Sequence, residues 1–297
     1  GNGGIIGVIE KCSGVTLDIS DTSVKNSVST GNNVGGLIGL VIDSYAITFD
    51  VHNSVVSGSI KGYNGVGGFV GNFTNNVQVI GNVNMSNSTG MVKGEQYVGG
   101  LFGVIQSSSP SKQTVINITN TRRENSVIGT AVASCGFACV DEDSTYAVKV
   151  NVLNSINFGN VQGEKAYGIA NDVKEVMNVV NIGSVSGTSY SLWKSPIANQ
   201  HAYALSSSCK TCGTATQIAK NNKDGQYYVV GTQMKISDML NFVVNQDHQW
   251  TTLSFWTKNL GFHAHAKGQL SIAHSFTLSF TALFLVLFLM VQGIFTQ

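Results

Sequence analysis

Val34-Gly35-Gly36-Leu37-Ile38-Gly39 returns as Val66-Gly67-Gly68-Phe69-Val70-Gly71, and again as Val98-Gly99-Gly100-Leu101-Phe102-Gly103. The chain opens inside another copy, Gly3-Gly4-Ile5-Ile6-Gly7. The second Gly of the pair therefore falls at 4, 36, 68 and 100, a constant step of 32 residues. Weaker copies follow at Cys135-Gly136-Phe137-Ala138-Cys139 and Tyr167-Gly168-Ile169-Ala170, and Tyr203-Ala204-Leu205 is a degraded last one. A second motif, G-x-[VI]-x-G, runs in the same register. It occupies Gly58–Gly62, Gly90–Gly94, Gly159–Gly163 and Gly183–Gly187. Two motifs in one register describe a repeat array.

Between the motifs the chain alternates apolar and polar residues, as in Ala46–Val51, Val115–Ile118 and Ala147–Val152. Val, Ile, Thr and Phe bounded by Asn, Gly and Ser are strand signals. No apolar stripe of helical period runs across a repeat. The expected fold is all-β: a β-solenoid of the parallel β-helix kind, with about six coils of roughly 32 residues and about three short strands in each. Gly at the corners supplies left-handed backbone without a Cβ penalty, and Asn tolerates the same region. The expected organisation is a repeat solenoid over 1–190, a cap region over 191–262, a spacer over 263–275 and a hydrophobic tail over 276–297.

Composition agrees. Of 297 residues 34 are Gly and 2 are Pro, which excludes collagen, and Gly at this level disfavours an all-helical fold. Charged residues are 11% and the net charge is +1. A nucleic-acid binder carries a clear basic excess, so none is expected as a partner.

The three central hexapeptides, with G-x-[VI]-x-G before them, resemble the GLUG-motif repeat family over roughly residues 1–187. The resemblance implies an extracellular β-solenoid of the kind found in bacteria and protists, often adhesin-like. It weakens at Cys135–Cys139 and Tyr167–Ala170, where Cys and Ala stand in place of motif Gly. Some arrays of this family are attached to metallopeptidases that cleave immunoglobulin A. The chain has no H-E-x-x-H, so that activity does not carry over. Gly231–Phe262 is similar to the Met- and Trp-containing piece that closes such arrays.

The far end of the chain is apolar. Leu278–Val291 reads LSFTALFLVLFLMV without a charge, and the last basic residue is Lys267. A spanning helix needs ~20 apolar residues and is usually followed by cytoplasmic Lys or Arg. Small residues, a polar spacer and an apolar tail form a glycolipid-anchor signal. Ala266 and Gly268 are the expected attachment residues, with Gln269–Ser275 as spacer. A membrane-spanning helix and a buried core helix are the alternatives. The chain begins at Gly1 with no visible leader, which reads as a chain lacking its natural N-terminus or as a processed mature end.

Residues with chemical potential are few. Cys209 and Cys212 form a C-x-x-C pair, expected to be a structural disulfide; half a zinc site or a redox pair are the alternatives. Cys135 and Cys139 either bridge or fill motif positions as small buried residues. Cys12 is left over. Sequons at Asn72, Asn84, Asn87 and Asn117 are glycosylation acceptors in a secreted protein. Asp141-Glu142-Asp143 lacks EF-hand spacing and is expected to be a solvated loop. Arg122-Arg123-Glu124 is expected to be a surface turn. His263 and His265 read as stalk. Trp193, Trp250 and Trp256 read as cap core.

These observations point to a cell-surface repeat protein, held to the membrane by its C-terminal tail, with a structural or adhesive role. Its partner would be a host-cell, matrix or glycan ligand met by weak contacts repeated along a solenoid face. No catalytic motif is present, and no cofactor or metal is expected. One alternative is a carbohydrate-active β-helix enzyme, which needs two positioned carboxylates. Another is the stalk of a larger surface protein.

Overall fold

The computed structural model describes residues 1–29, 31–107, 113–144, 147–190, 200–205, 216–220 and 227–229. These form a parallel β-solenoid of five full coils and a shortened sixth. The coils cover residues 2–29, 34–61, 66–93, 98–128, 134–162 and 166–190. The first four steps of the motif ladder pair Asn2 with Val34, Val34 with Val66, Val66 with Val98 and Val98 with Ser134. Residues equivalent in the repeat are thus hydrogen-bonded neighbours in space.

Coils 1 to 4 each carry five strand segments rather than three, and coil 5 carries four. In coil 2 they are Val34–Gly35, Ile38–Ile42, Tyr45–His52, Val55–Val56 and Ile60–Lys61. The additional two-residue segments arise because the corners of that coil are crossed in two to four residues, leaving short straight stretches able to pair. The segments stack into three sheets, one with the motif and G-x-[VI]-x-G ladders, one through Ile38–Ile42, and one through the long strands. The long-strand sheet continues through Gln200–Leu205 and Thr216–Lys220. It is joined there by Tyr227–Val229, the one antiparallel pairing among the described strands. A compact unit spans Gly1–Asn241. The Trp, His, C-x-x-C and tail expectations fall outside the described residues. Among the described residues, no helix is long and apolar enough to cross a membrane.

Alternation along each long strand sends one set of side chains inward. Ile47, Phe49 and Val51 are buried, and so are Val79 and Val83, Ile116 and Ile118, and Val150 and Val152. One residue of each motif copy forms a second column: Leu37, Phe69, Leu101, Phe137 and Ile169 are all fully buried. Phe49, Phe73 and Phe102 meet at ring-centroid separations of 5.9–6.5 Å, within the range of favourable aromatic contact.

Left-handed glycines, expected at corners, occur at Gly14, Gly31 and Gly65, but the hexapeptide motif glycines are not among them. Among the described residues, positive φ at Gly is confined to Gly14, Gly31, Gly65 and Gly187. Gly35, Gly36 and Gly39 are required by close approach instead. A Cβ on Gly35 would strike the Ile38 carbonyl oxygen, one on Gly36 the Gly68 carbonyl oxygen, and one on Gly39 the backbone of the coil below. Gly67, Gly68, Gly71, Gly99, Gly100 and Gly103 repeat these collisions. The corner after each long strand belongs to other residues. Asp21, Asn53, Met85, Asn120, Asn154 and Asn178 form one left-handed column at φ 47–53°. Asn and Asp lead such positions because their side chains can bond locally.

A buried hydroxyl follows four of these corners. Ser54, Ser86, Thr121 and Ser155 donate to the carbonyl two residues back at 2.7–3.0 Å. Three of them are shown accepting an N–H from the preceding coil: Thr22 N–H donates to Ser54 Oγ, Ser54 N–H to Ser86 Oγ and Thr121 N–H to Ser155 Oγ. The chain turns inside the core without leaving these backbone donors unsatisfied.

Candidate functional site

The outward side of the long-strand sheet is a broad face where polar side chains are aligned by the repeat itself. Pairing places Asp18 beside Asp50, Asp50 beside Asn82, Asn82 beside Asn117 and Asn117 beside Asn151. These side chains bond along the column. Asn82 Nδ2 donates to Asp50 Oδ1 at 2.6 Å, Asn117 Nδ2 to Asn82 Oδ1 at 2.8 Å, and Asn151 Nδ2 to Asn117 Oδ1 at 2.9 Å. From Asp50 onward the members are half-buried, and Asp18 is exposed.

Two further columns flank this ladder. Thr16, Thr48, Ile80, Val115 and Lys149 run on one side; Ser20, His52, Asn84, Thr119 and Leu153 run on the other. His52 Nδ1 lies 3.5 Å from Asp18 Oδ1. Ile80 is exposed. The face therefore offers amide oxygens and N–H groups at the inter-strand spacing of ~4.7–4.9 Å, with apolar and hydroxyl groups alongside. It can hydrogen-bond a ligand whose polar groups repeat along the solenoid axis. Asp18 and Asp50 put two carboxylates on neighbouring strands. Their 32-residue separation carried the signal, but attention to clustered acids alone passes over it.

The acidic run is placed differently from a metal site. Glu142–Ser144 is a turn of 3-10 helix. Asp141 is held on both oxygens, by Tyr97 Oη at 3.2 Å and Gln106 Nε2 at 2.7 Å. Burial, and then the Asp141 carboxylate, push the Tyr97 phenol up to about 12. Among the described residues no group of three or more His, Cys, Asp or Glu could hold a metal ion.

Arg123 is not in a surface turn. Arg122–Arg123 is a strand, and Arg123 is fully buried. It takes the inward position held by Val24, Val56 and Ser88 in earlier coils. Its guanidinium Nη1 donates to Asn157 Oδ1 at 3.2 Å; Nε and Nη2 have no hydrogen-bond partner among the described residues. Desolvation lowers its pKa to about 9. Gly100 and Gly159 make room for it, since a Cβ at either would strike the Arg123 side chain. Arg122 is half-buried, paired with Glu124 and set over the Phe158 ring at 5.0 Å.

Cys135 and Cys139 form a disulfide, resolving their two readings. Cys135 pairs in register with Gly99, and both cysteines are fully buried. Cys12 is free and half-buried. The sequons occupy unlike settings. Asn72 is only 7% exposed, and its amide donates to Asn33 Oδ1. Asn84, Asn87 and Asn117 are half-buried, with the Asn117 amide engaged in the ladder. The chain matches no protein-family profile, no curated protein and no solved structure.

Proposed function

We propose that this solenoid is a cell-surface repeat protein of the GLUG type, with a structural or adhesive role, that meets its partner through the outward face of the long-strand sheet. The observation carrying this reading is the ladder Asp50–Asn82–Asn117–Asn151: directed polar groups, aligned by the backbone and only half-buried. Binding would come from many weak contacts in one register, and the ligand class is an extended glycan or matrix polymer. The Cys135–Cys139 disulfide supports an oxidising, extracellular setting. The tail beyond Lys267, with Ala266 and Gly268 as attachment residues, supports membrane tethering. The test is binding of bead-arrayed protein to glycan and matrix arrays. Retention that falls at least tenfold in Asn82→Leu/Asn117→Leu supports the reading. Binding no better than that of an unrelated solenoid overturns it.

A carbohydrate-active role is the second reading, favoured by Asp18 and Asp50 on neighbouring strands. Glycosidic chemistry needs one carboxyl as acid and another as base or nucleophile. Turnover of any polysaccharide, abolished by Asp50→Asn, would place the chain in this class instead.

A further inference from the structure

Arg123 brings a charge into a column that begins as apolar. The inward position at this corner is Val24 in coil 1, Val56 in coil 2, Ser88 in coil 3, Arg123 in coil 4, Asn157 in coil 5 and Asn181 in coil 6. Ser88 is 1% exposed, and Arg123, Asn157 and Asn181 are at 0%. The two asparagines are satisfied. Asn157 Oδ1 accepts from Arg123 Nη1 and from the Gly159 N–H, which uses both of its lone pairs. Its amide donates to the Gly159 and Gly168 carbonyls and to Asn181 Oδ1. Asn181 Nδ2 donates to the Gly183 carbonyl.

Ser88 and Arg123 are not satisfied. Arg123 Nε and Nη2 and Ser88 Oγ have no hydrogen-bond partner among the described residues. Nε–H and one Nη2–H run side by side on one edge of the planar guanidinium, and such an edge grips an anion with two parallel bonds. Nη1, on the other side of the group, is the nitrogen that serves Asn157. Burial is the one influence on the Arg123 charge, with no carboxylate acting to hold it. Glu124 is paired with Arg122 instead. The unmet groups are therefore all able to donate, and they surround a positive charge. A water accepts two of these bonds and leaves the charge uncompensated, which in a buried setting costs more than an unpaired dipole.

We propose that Ser88 and Arg123 hold a monovalent anion of the halide class inside the solenoid, where coils 3 and 4 adjoin. The Arg123 Nε–H and Nη2–H and the Ser88 hydroxyl donate to it. Both side chains are closed to solvent, so the ligand is a bare ion rather than a charged group on a larger molecule. Val24 and Val56 offer an ion nothing, so coils 1 and 2 carry no equivalent. This holds whether or not the outer face of the long-strand sheet binds a ligand.

The experiment follows urea unfolding of the whole chain in increasing chloride, with gluconate keeping the ionic strength constant. Only the folded chain offers the site, so the folding constant should rise about tenfold for each tenfold rise in chloride above the dissociation constant. Arg123→Met should fold without regard to chloride. Ser88→Val, which restores the side chain of coil 2, should need more chloride for the same gain. In gluconate alone Arg123→Met is more stable than the native chain, and chloride narrows its lead. Crystals grown in bromide give a direct reading, an anomalous-scattering peak beside Arg123 Nε. Native folding that ignores chloride, an undiminished chloride response in Arg123→Met, or the lack of a bromide peak each overturns the proposal. Should Arg123→Met fail to fold, the native chloride series and the bromide peak decide.

Discussion

Coils 2 and 3 are near copies of each other, whereas coils 4 and 5 keep the ladders and change what fills them. Between coils 2 and 3 every pairing steps by 32 residues, as in Val34 with Val66 and Tyr45 with Val77. Between coils 4 and 5 the step varies: Val98 pairs with Ser134 in entering coil 5, and Val127 with Val161 in leaving it. There the motif glycines at 99 and 103 give way to Cys135 and Cys139, and the inward Val56 and Ser88 give way to Arg123 and then Asn157. The backbone shifts register between Phe102 and Ile105 where it meets this region. A regular coil is held by backbone proximity that tolerates no side chain. An irregular one admits side chains and must bind them, by a disulfide or by polar contacts.

The largest expected effect comes from placing a side chain in a regular coil. Gly68→Val drives its Cβ into the Gly100 carbonyl oxygen. It should lower stability by more than ~4 kcal/mol, read as loss of the cooperative urea transition. Arg123→Met comes next, with the opposite sign. Removing a buried, incompletely bonded guanidinium should raise stability by roughly 1–4 kcal/mol. It should also change the pH dependence. Above about pH 9 the native Arg123 sheds a proton that the unfolded chain retains to its ordinary value, so this group's contribution to stability rises with pH. Tyr97 and Tyr203, pushed up to about 12, act oppositely. They keep protons that the unfolded chain loses above pH 10, and stability falls there. Urea midpoints between pH 8 and 10 should therefore rise in the native chain and stay flatter in Arg123→Met.

Cys135→Ala/Cys139→Ala should cost about 2 kcal/mol, because the loop closed by the disulfide is short. The same drop should appear when the native chain is unfolded with reductant. If reduction leaves the midpoint unchanged, the irregular coil is held by packing alone. The smallest effect belongs to the surface ladder. Asn82→Ala should lower stability by ~1 kcal/mol or less, since its bonds to Asp50 and Asn117 are half-exposed. A much larger loss would mean that the outer ladder is structural.

Much of the architecture was readable from the glycine period, because in-register stacking turns sequence spacing directly into contact. What period alone cannot convey is why a glycine recurs. The same spacing suits a left-handed corner and a collision between carbonyl and Cβ, and only the backbone path separates them. Arg123 was hidden for a related reason. Its column steps by 35 residues from Ser88, so a search at 32 aligns it with the wrong neighbours, and its charge suggests a surface. Asp18 and Asp50 keep the 32-residue step and were legible. They stand alone in the sequence, and only stacking makes them a pair.

Stacking in register has a consequence for how such a chain changes over generations. Removing or duplicating one whole repeat restores every ladder with a neighbour of the same kind, and shortens or lengthens the column by about 4.8 Å. Losing one residue inside a strand would instead turn its inward side chains outward. Within the strands the permissible unit of variation is therefore the entire coil, and smaller changes of length fall between the strands. The length of the column can drift by recombination while its faces, including the amide row, keep the same pattern.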